Sequence, residues 1–231
     1  MNTKEFEAGE IRGTLYGKEG AHTIIYILEP IPVTCKVSSL AEEYPVVLCA
    51  LSGMNWNRDL SPWTAKKVFK GEDDFGGKGD AFIEILVNDV FPKAESMAPS
   101  VSRRMMAGIS MSGLFSLYMA TKYEKLEGIA SISGSLWFPR LRDYMKDNLP
   151  LNKDMRIYIS LGNKEKKVRN PLMAKVEEET LAIRDLLASS RRHVIYQENE
   201  GNHFVHGEER LKEALLYLIT GEIWQGSHSV K

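Results

Sequence analysis

Ser110, Glu165 and His203 are the residues whose types and settings could together do nucleophilic chemistry in this chain. A serine hydroxyl is a weak nucleophile near neutral pH. It needs a base to take its proton and a third group to orient that base. Ser110 lies in Met105-Met106-Ala107-Gly108-Ile109-Ser110-Met111-Ser112-Gly113-Leu114-Phe115, where an apolar run meets an abrupt turn of small residues and then a helical pattern. That is the strand–elbow–helix context in which a serine is held out as a nucleophile. Gly108 gives the strand room, and Ser112 and Gly113 let the helix turn back without a side-chain clash. The helix N-terminus adds a positive field and free N–H groups beside the hydroxyl. Ser112 has Ser110 two before it and Leu114 two after it, so it lacks the elbow spacing and reads as a replacement for glycine.

His203 follows Gly201-Asn202, in the loop between a short apolar strand (193–198) and the last helix (207–220). His206 lies three residues on and could share a helical face with it, but abuts that helix. His22 and His193 fall in strand-like segments and read as structural, and His228 is in the tail. Glu165 lies in Leu161-Gly162-Asn163-Lys164-Glu165, just beyond another predicted strand; its competing reading is one exposed charge in a Lys-Glu-Lys-Lys loop. Asn163 is no anion, although an amide can orient an imidazole. Serine, acid and histidine, each on a loop after a strand, follow one of the chain orders in which triads occur.

An oxyanion hole needs two N–H groups aimed where negative charge develops. The N–H of Met111, directly after the serine, is one expected donor. The other is expected from the loop after the Val46–Leu51 strand, Leu51-Ser52-Gly53-Met54-Asn55-Trp56, at Met54, with Gly53 and Asn55 as alternatives. Trp56, Trp63 and Trp137 could wall an acyl or alcohol pocket, or equally pack in the core. The run Asp73–Asp80 matches neither the phosphate-loop nor the calcium-loop spacing and reads as a structured surface loop.

The elements that must position these residues follow from the hydrophobic pattern. Residues 9–29 alternate around Gly17-Lys18-Glu19-Gly20 and predict an antiparallel pair at a sheet edge. Pro30 and Pro32 break the pattern before a second extended stretch. Tyr44–Leu51 is nearly continuous apolar, as in a strand covered on both faces. A loop from Ser52 to Asp80 is long enough to expect a function of it. A helix is predicted over 80–97, with Ala81, Ile85, Val87 and Phe91 inward and Pro92 closing it. Strands at 104–109, 126–134, 155–161 and 193–198 alternate with helices at 111–123, 173–190 and 207–220. This predicts a mostly parallel, doubly wound α/β sheet with antiparallel N-terminal edge strands, in one domain over 1–231, with no large lid.

Bulk properties agree. The chain has 231 residues, 43% hydrophobic and 26% charged, with net charge −1, which gives no support for nucleic-acid or membrane-surface binding. Residues 1–7 lack the apolar core of a signal peptide, and no apolar run of about 18 residues occurs, so a cytoplasmic protein is expected. Cys35 and Cys49 make no disulfide framework and are expected as buried thiols.

Ala107–Gly113, Ser131-Ile132-Ser133-Gly134-Ser135-Leu136-Trp137 and Gly201-Asn202-His203-Phe204 together resemble an esterase family of α/β hydrolases. That family includes esterase D (S-formylglutathione hydrolase), feruloyl and siderophore esterases and mycolyl transferases. The resemblance spans roughly residues 9–220 and implies the α/β-hydrolase fold, Ser110 as nucleophile, His203 as base and an acid near Glu165. Two departures stand out: Ser112 where the family has glycine, and glutamate where its acid is commonly aspartate. Siderophore esterases of the family can look like Ser–His dyads, so the resemblance leaves a dyad as the alternative to a triad. The expected activity is hydrolysis of small to medium esters through an acyl-enzyme, with no metal or cofactor. Its alternatives are acyl transfer and a catalytically silent binding protein.

Overall fold

The computed structural model describes residues 2–28 and 35–223. Pro30, Pro32 and His228 lie outside the described residues, as does the side chain of Cys35. Among the described residues, eight strands form one sheet: β1 (Asn2–Ala8), β2 (Ile11–Gly17), β3 (Thr23–Leu28), β4 (Val46–Ser52), β5 (Arg103–Ile109), β6 (Leu126–Ile132), β7 (Arg156–Gly162) and β8 (His193–Asn199). Their order in space is β1-β2-β4-β3-β5-β6-β7-β8. β4, β3 and β5 to β8 run parallel, while β2 pairs antiparallel with both β1 and β4. This is the α/β-hydrolase fold, mostly parallel with an antiparallel N-terminal edge.

That edge differs from the expected one. β2 and β3 are not partners, because β4 lies between them, and the edge pair is β1 with β2. The reason is burial: Ile24 to Leu28 are all 0% exposed, so β3 needs cover on both faces and both edges and takes a central place. β1 carries few apolar residues; its Phe6 packs against Gly13 on β2, where a Cβ would come within 2.1 Å of the ring. The segment after Pro32 also differs, forming short helices at Cys35–Ser38 and Leu40–Glu43 in place of an extended stretch.

Helix α1 (Met111–Ala120) is buried at every position and packs across β5 and β6. Helix α2 (Gly207–Thr220) lies across β5, β6 and β7, its Leu211, Ala214, Leu215 and Leu218 in the core on the sheet's other face. Residues 79–96 are helical throughout, with a π-turn at Leu86–Val90 between α-helical segments. That turn inserts a residue into the phase, so Phe82, Ile83, Leu86, Val90, Phe91 and Ala94 face inward, while Ala81 and Ile85 are exposed. Pro92 does not end this helix. It sits in the first turn of Phe91–Ser96, where its missing N–H has little to lose beside the irregular π-turn.

The long loop after β4 folds into a helical turn (Trp56–Asp59) and a short ribbon pairing Thr64–Ala65 with Phe75–Gly76. Asp74 binds Lys66 at 2.8 Å and the Lys67 N–H at 3.1 Å. No cluster of three potential metal-ligating side chains occurs among the described residues, and no helix among them is long and apolar enough to cross a membrane. Cys49 is a buried free thiol.

Candidate active site

The parallel strands end at one edge of the sheet, so the loops after β4, β5, β6, β7 and β8 share one rim. The chain order reverses between β3 and β5, the place where open α/β sheets leave a crevice. Ser110 follows β5 at that crevice.

The elbow is tight. Ser110 has φ 62 and ψ −122, a backbone region L-residues rarely enter. Its N–H donates to the Ile132 carbonyl at 3.0 Å, and its own carbonyl accepts from Ser135 N–H at 3.0 Å and Leu114 N–H at 3.1 Å. A Cβ on Gly108 would meet the Ser112 backbone carbon at 2.5 Å, and one on Gly113 the Gly108 carbonyl at 2.9 Å. Both glycines are therefore required by close packing of strand against helix. Ser112 is fully buried and donates its hydroxyl to the Ile109 carbonyl at 2.7 Å, so the polar group that stands in for glycine is satisfied.

His203 Nε2 lies 3.1 Å from Ser110 Oγ, and His203 Nδ1 lies 2.8 Å from Glu165 Oε2. The three residues form one hydrogen-bonded chain across 93 positions of sequence. His206 is exposed and stands at the N-cap of α2. Glu165, in the lysine-rich loop after β7, is only 4% exposed. Its Oε1 accepts from Gly162 N–H at 2.7 Å, Ser133 Oγ at 2.7 Å and Arg210 Nη1 at 3.2 Å. Burial pushes the Glu165 carboxyl up. The hydrogen bond and charge of His203, with the Gly162 N–H and Ser133 hydroxyl, outweigh it and hold the group below its ordinary value.

In the loop after β4, Gly53 has φ 99, and a Cβ there would meet the Glu10 carbonyl at 2.1 Å. Asn55 has its backbone N–H and side-chain oxygen engaged: the N–H donates to Asp59 Oδ2 at 2.7 Å and Oδ1 accepts from Arg58 N–H at 2.9 Å. The N–H groups of Met54 and Met111 have no such partner among the described residues. Trp137 is buried against Phe75 and Phe138. Trp63 packs on Tyr118, Phe138 and Tyr144 and donates its indole N–H to the Pro139 carbonyl at 2.9 Å. Trp56 opens the helical turn half-buried.

The family model described as Putative esterase matches residues 32–212. The chain belongs to the Putative esterase family.

Structures similar to this esterase-family chain cover most of it. An IroE-like serine hydrolase from Shewanella oneidensis superposes with TM-score 0.76 at 16% identity, over 94% of this chain and 79% of that one. The enterobactin esterase FES from Shigella flexneri gives 0.71 at 17%, over 94% and 59%. The siderophore hydrolase EstA from Aspergillus nidulans gives 0.68 at 15%, over 94% and 93%. In sequence, the chain is 25% identical over 146 residues to "Uncharacterized protein YbbA" of Bacillus subtilis (strain 168); the match covers 62% of this chain and 58% of that relative's length.

Three polar residues of the site, Ser133, Ser135 and Arg210, were not singled out by sequence reasoning, and Ser133 Oγ donates to Glu165 as described above. Ser135 Oγ lies 3.4 Å from Ser110 Oγ. Arg210 is 2% exposed and bound to Glu165. A signal for Arg210 exists: it occupies the first position of the stripe 210, 211, 214, 215, 218 that α2 turns to the core, where a cation is out of place.

Proposed function

We propose that this chain is a serine hydrolase of carboxylic esters, with Ser110 as nucleophile, His203 as base and Glu165 as the acid that orients it. The observation that carries the reading is the Ser110–His203–Glu165 chain at 3.1 and 2.8 Å, with its serine on a positive-φ elbow. His203 Nε2 takes the Ser110 proton as Oγ attacks the ester carbonyl, and then gives it to the departing alkoxide. Water, deprotonated by the same imidazole, releases the acid from the acyl-enzyme. Glu165, kept ionised by its surroundings, stabilises the imidazolium formed in each half. The N–H groups of Met111 and Met54 hold the oxyanion. No step calls on a metal or cofactor.

Esters of small to medium size are the proposed substrates, and the names of the similar structures put siderophore esters first among those to try. The experiment is hydrolysis of a panel of aryl, feruloyl and siderophore esters by wild type, Ser110→Ala and His203→Ala, with and without added alcohols. Turnover that falls by ~10³-fold or more in both variants supports the reading. Turnover unchanged in Ser110→Ala overturns it, and products dominated by alcohol adducts turn it into acyl transfer.

A further inference from the structure

Arg210 is a charged residue in a helix face otherwise given over to the core, and its two terminal nitrogens do different things. Nη1 donates to Glu165 Oε1 at 3.2 Å and to Ser133 Oγ at 2.9 Å. Nη2 donates to the carbonyls of Glu200 at 2.9 Å and Asn202 at 3.2 Å. Asn202 immediately precedes His203. One guanidinium thus touches the acid directly and the base through the backbone of its loop.

Gly162 leaves the space for it, and Gly201 shapes the loop beside it. A Cβ on Gly162, at the end of β7, would come within 2.5 Å of the Gly201 carbonyl, 2.8 Å of Arg210 Nη2 and 2.9 Å of Glu165 Oε1. Gly201 has φ 99, and a Cβ there would meet Val205 Cγ2 at 2.3 Å. Ser133, which bridges guanidinium and carboxylate, also adopts a positive φ of 46. A strand-end glycine and two positive-φ loop positions, Ser133 and Gly201, thus meet around one side chain.

We propose that Arg210 is a positioning residue for the acid–base pair: its planar fork fixes Glu165 relative to the His203 loop, so that α2 sets the reach from carboxylate to imidazole. The inference rests on the esterase reading of Ser110. A buried ion pair of this kind adds little stability over a well-packed apolar pair, whereas a fork that addresses two loops at once adds geometric definition. A misplacement of about 1 Å between reacting groups can cost ~100-fold in rate. Lysine keeps the charge, but its three donors radiate from one nitrogen, so it cannot reproduce two terminal nitrogens set apart in a fixed plane.

The experiment compares wild type, Arg210→Met and Arg210→Lys for ester turnover, thermal unfolding and the low-field imidazole N–H resonance, assigned by its loss in His203→Ala. Arg210→Met is expected to lose about 100-fold in kcat with KM little changed, and to broaden or lose the resonance. Arg210→Lys is expected to recover the folded state without recovering wild-type kcat. Wild-type kcat and an intact resonance in Arg210→Met overturn the proposal; so does wild-type kcat in Arg210→Lys if the methionine variant does not fold. Should wild type show no Ser110-dependent turnover, the esterase reading fails instead. The resonance then still reports whether Arg210 holds the pair, its persistence in both variants overturning the proposal.

Discussion

Glu165 and Arg210 meet at 3.2 Å although they stand 45 residues apart, and both are almost closed to water, at 4% and 2% exposure. A carboxylate in a dry site would ordinarily pick up a proton or lose its fold. Here it is surrounded by an imidazole, a guanidinium, a hydroxyl and a backbone N–H, each donating. The pair links the chemistry of the rim to the stability of the sheet beneath it.

Glu165→Gln is therefore expected to act twice. Catalysis falls, by as much as ~10⁴-fold if the amide leaves the imidazole in the wrong tautomer. Stability falls as well, by about 3–5 kcal/mol, because a buried guanidinium is left without its anion. Kinetics and urea unfolding on the same sample read both effects. A kcat loss below ~10-fold points to a Ser–His dyad in place of a triad.

Acid should expose the same pair. The Glu165 carboxyl is held below its ordinary value of 4.5 in the folded chain, so on acidification the unfolded state takes up the proton first. Its stabilisation is then fully present above about pH 4.5 and lost as pH falls through the folded value. Urea midpoints followed from neutral pH downward should drop more steeply for wild type than for Glu165→Gln. Parallel profiles contradict this.

The elbow gives a steric prediction. A methyl on Gly108 lands 2.5 Å from the Ser112 backbone, and overpacking of this kind costs about 1–3 kcal/mol. Gly108→Ala should lower Tm and displace Ser110, slowing turnover by ~100-fold. Unchanged Tm and turnover show that strand and helix are not held as close as the structure has them.

For the oxyanion site the informative change removes an N–H and not a side chain. Met54→Pro should cost ~10²–10³-fold in kcat, the effect of losing one oxyanion donor, while Met54→Leu stays near wild type. Equal losses in both variants point to packing around Met54, which is 8% exposed.

Much of this is legible in the sequence. The Gly108-x-Ser110 spacing, an apolar strand before it and a buried helix after it mark the elbow because close packing permits little else there. The parallel core followed from Val46–Leu51 and the later apolar runs. Strand order at the N-terminal side was less accessible: a turn at 17–20 predicts a hairpin, and only the unbroken run Ile24–Leu28 hints that β4 must intervene. The phase of the 79–96 helix was hidden by its π-turn, which no periodicity of 3.6 accommodates. Glu165 was ambiguous because Lys164, Lys166 and Lys167 give its loop the composition of a solvated surface, and its burial depends on Arg210 from a helix far along the chain.

Ser110 as nucleophile is the assignment on which the proposed chemistry depends. Incubation with a fluorophosphonate probe followed by mass analysis of the digested protein tests it without knowing the substrate. One adduct is expected, on Ser110, absent in Ser110→Ala and strongly slowed in His203→Ala. An adduct on another serine, or equal labelling of wild type and Ser110→Ala, would contradict it.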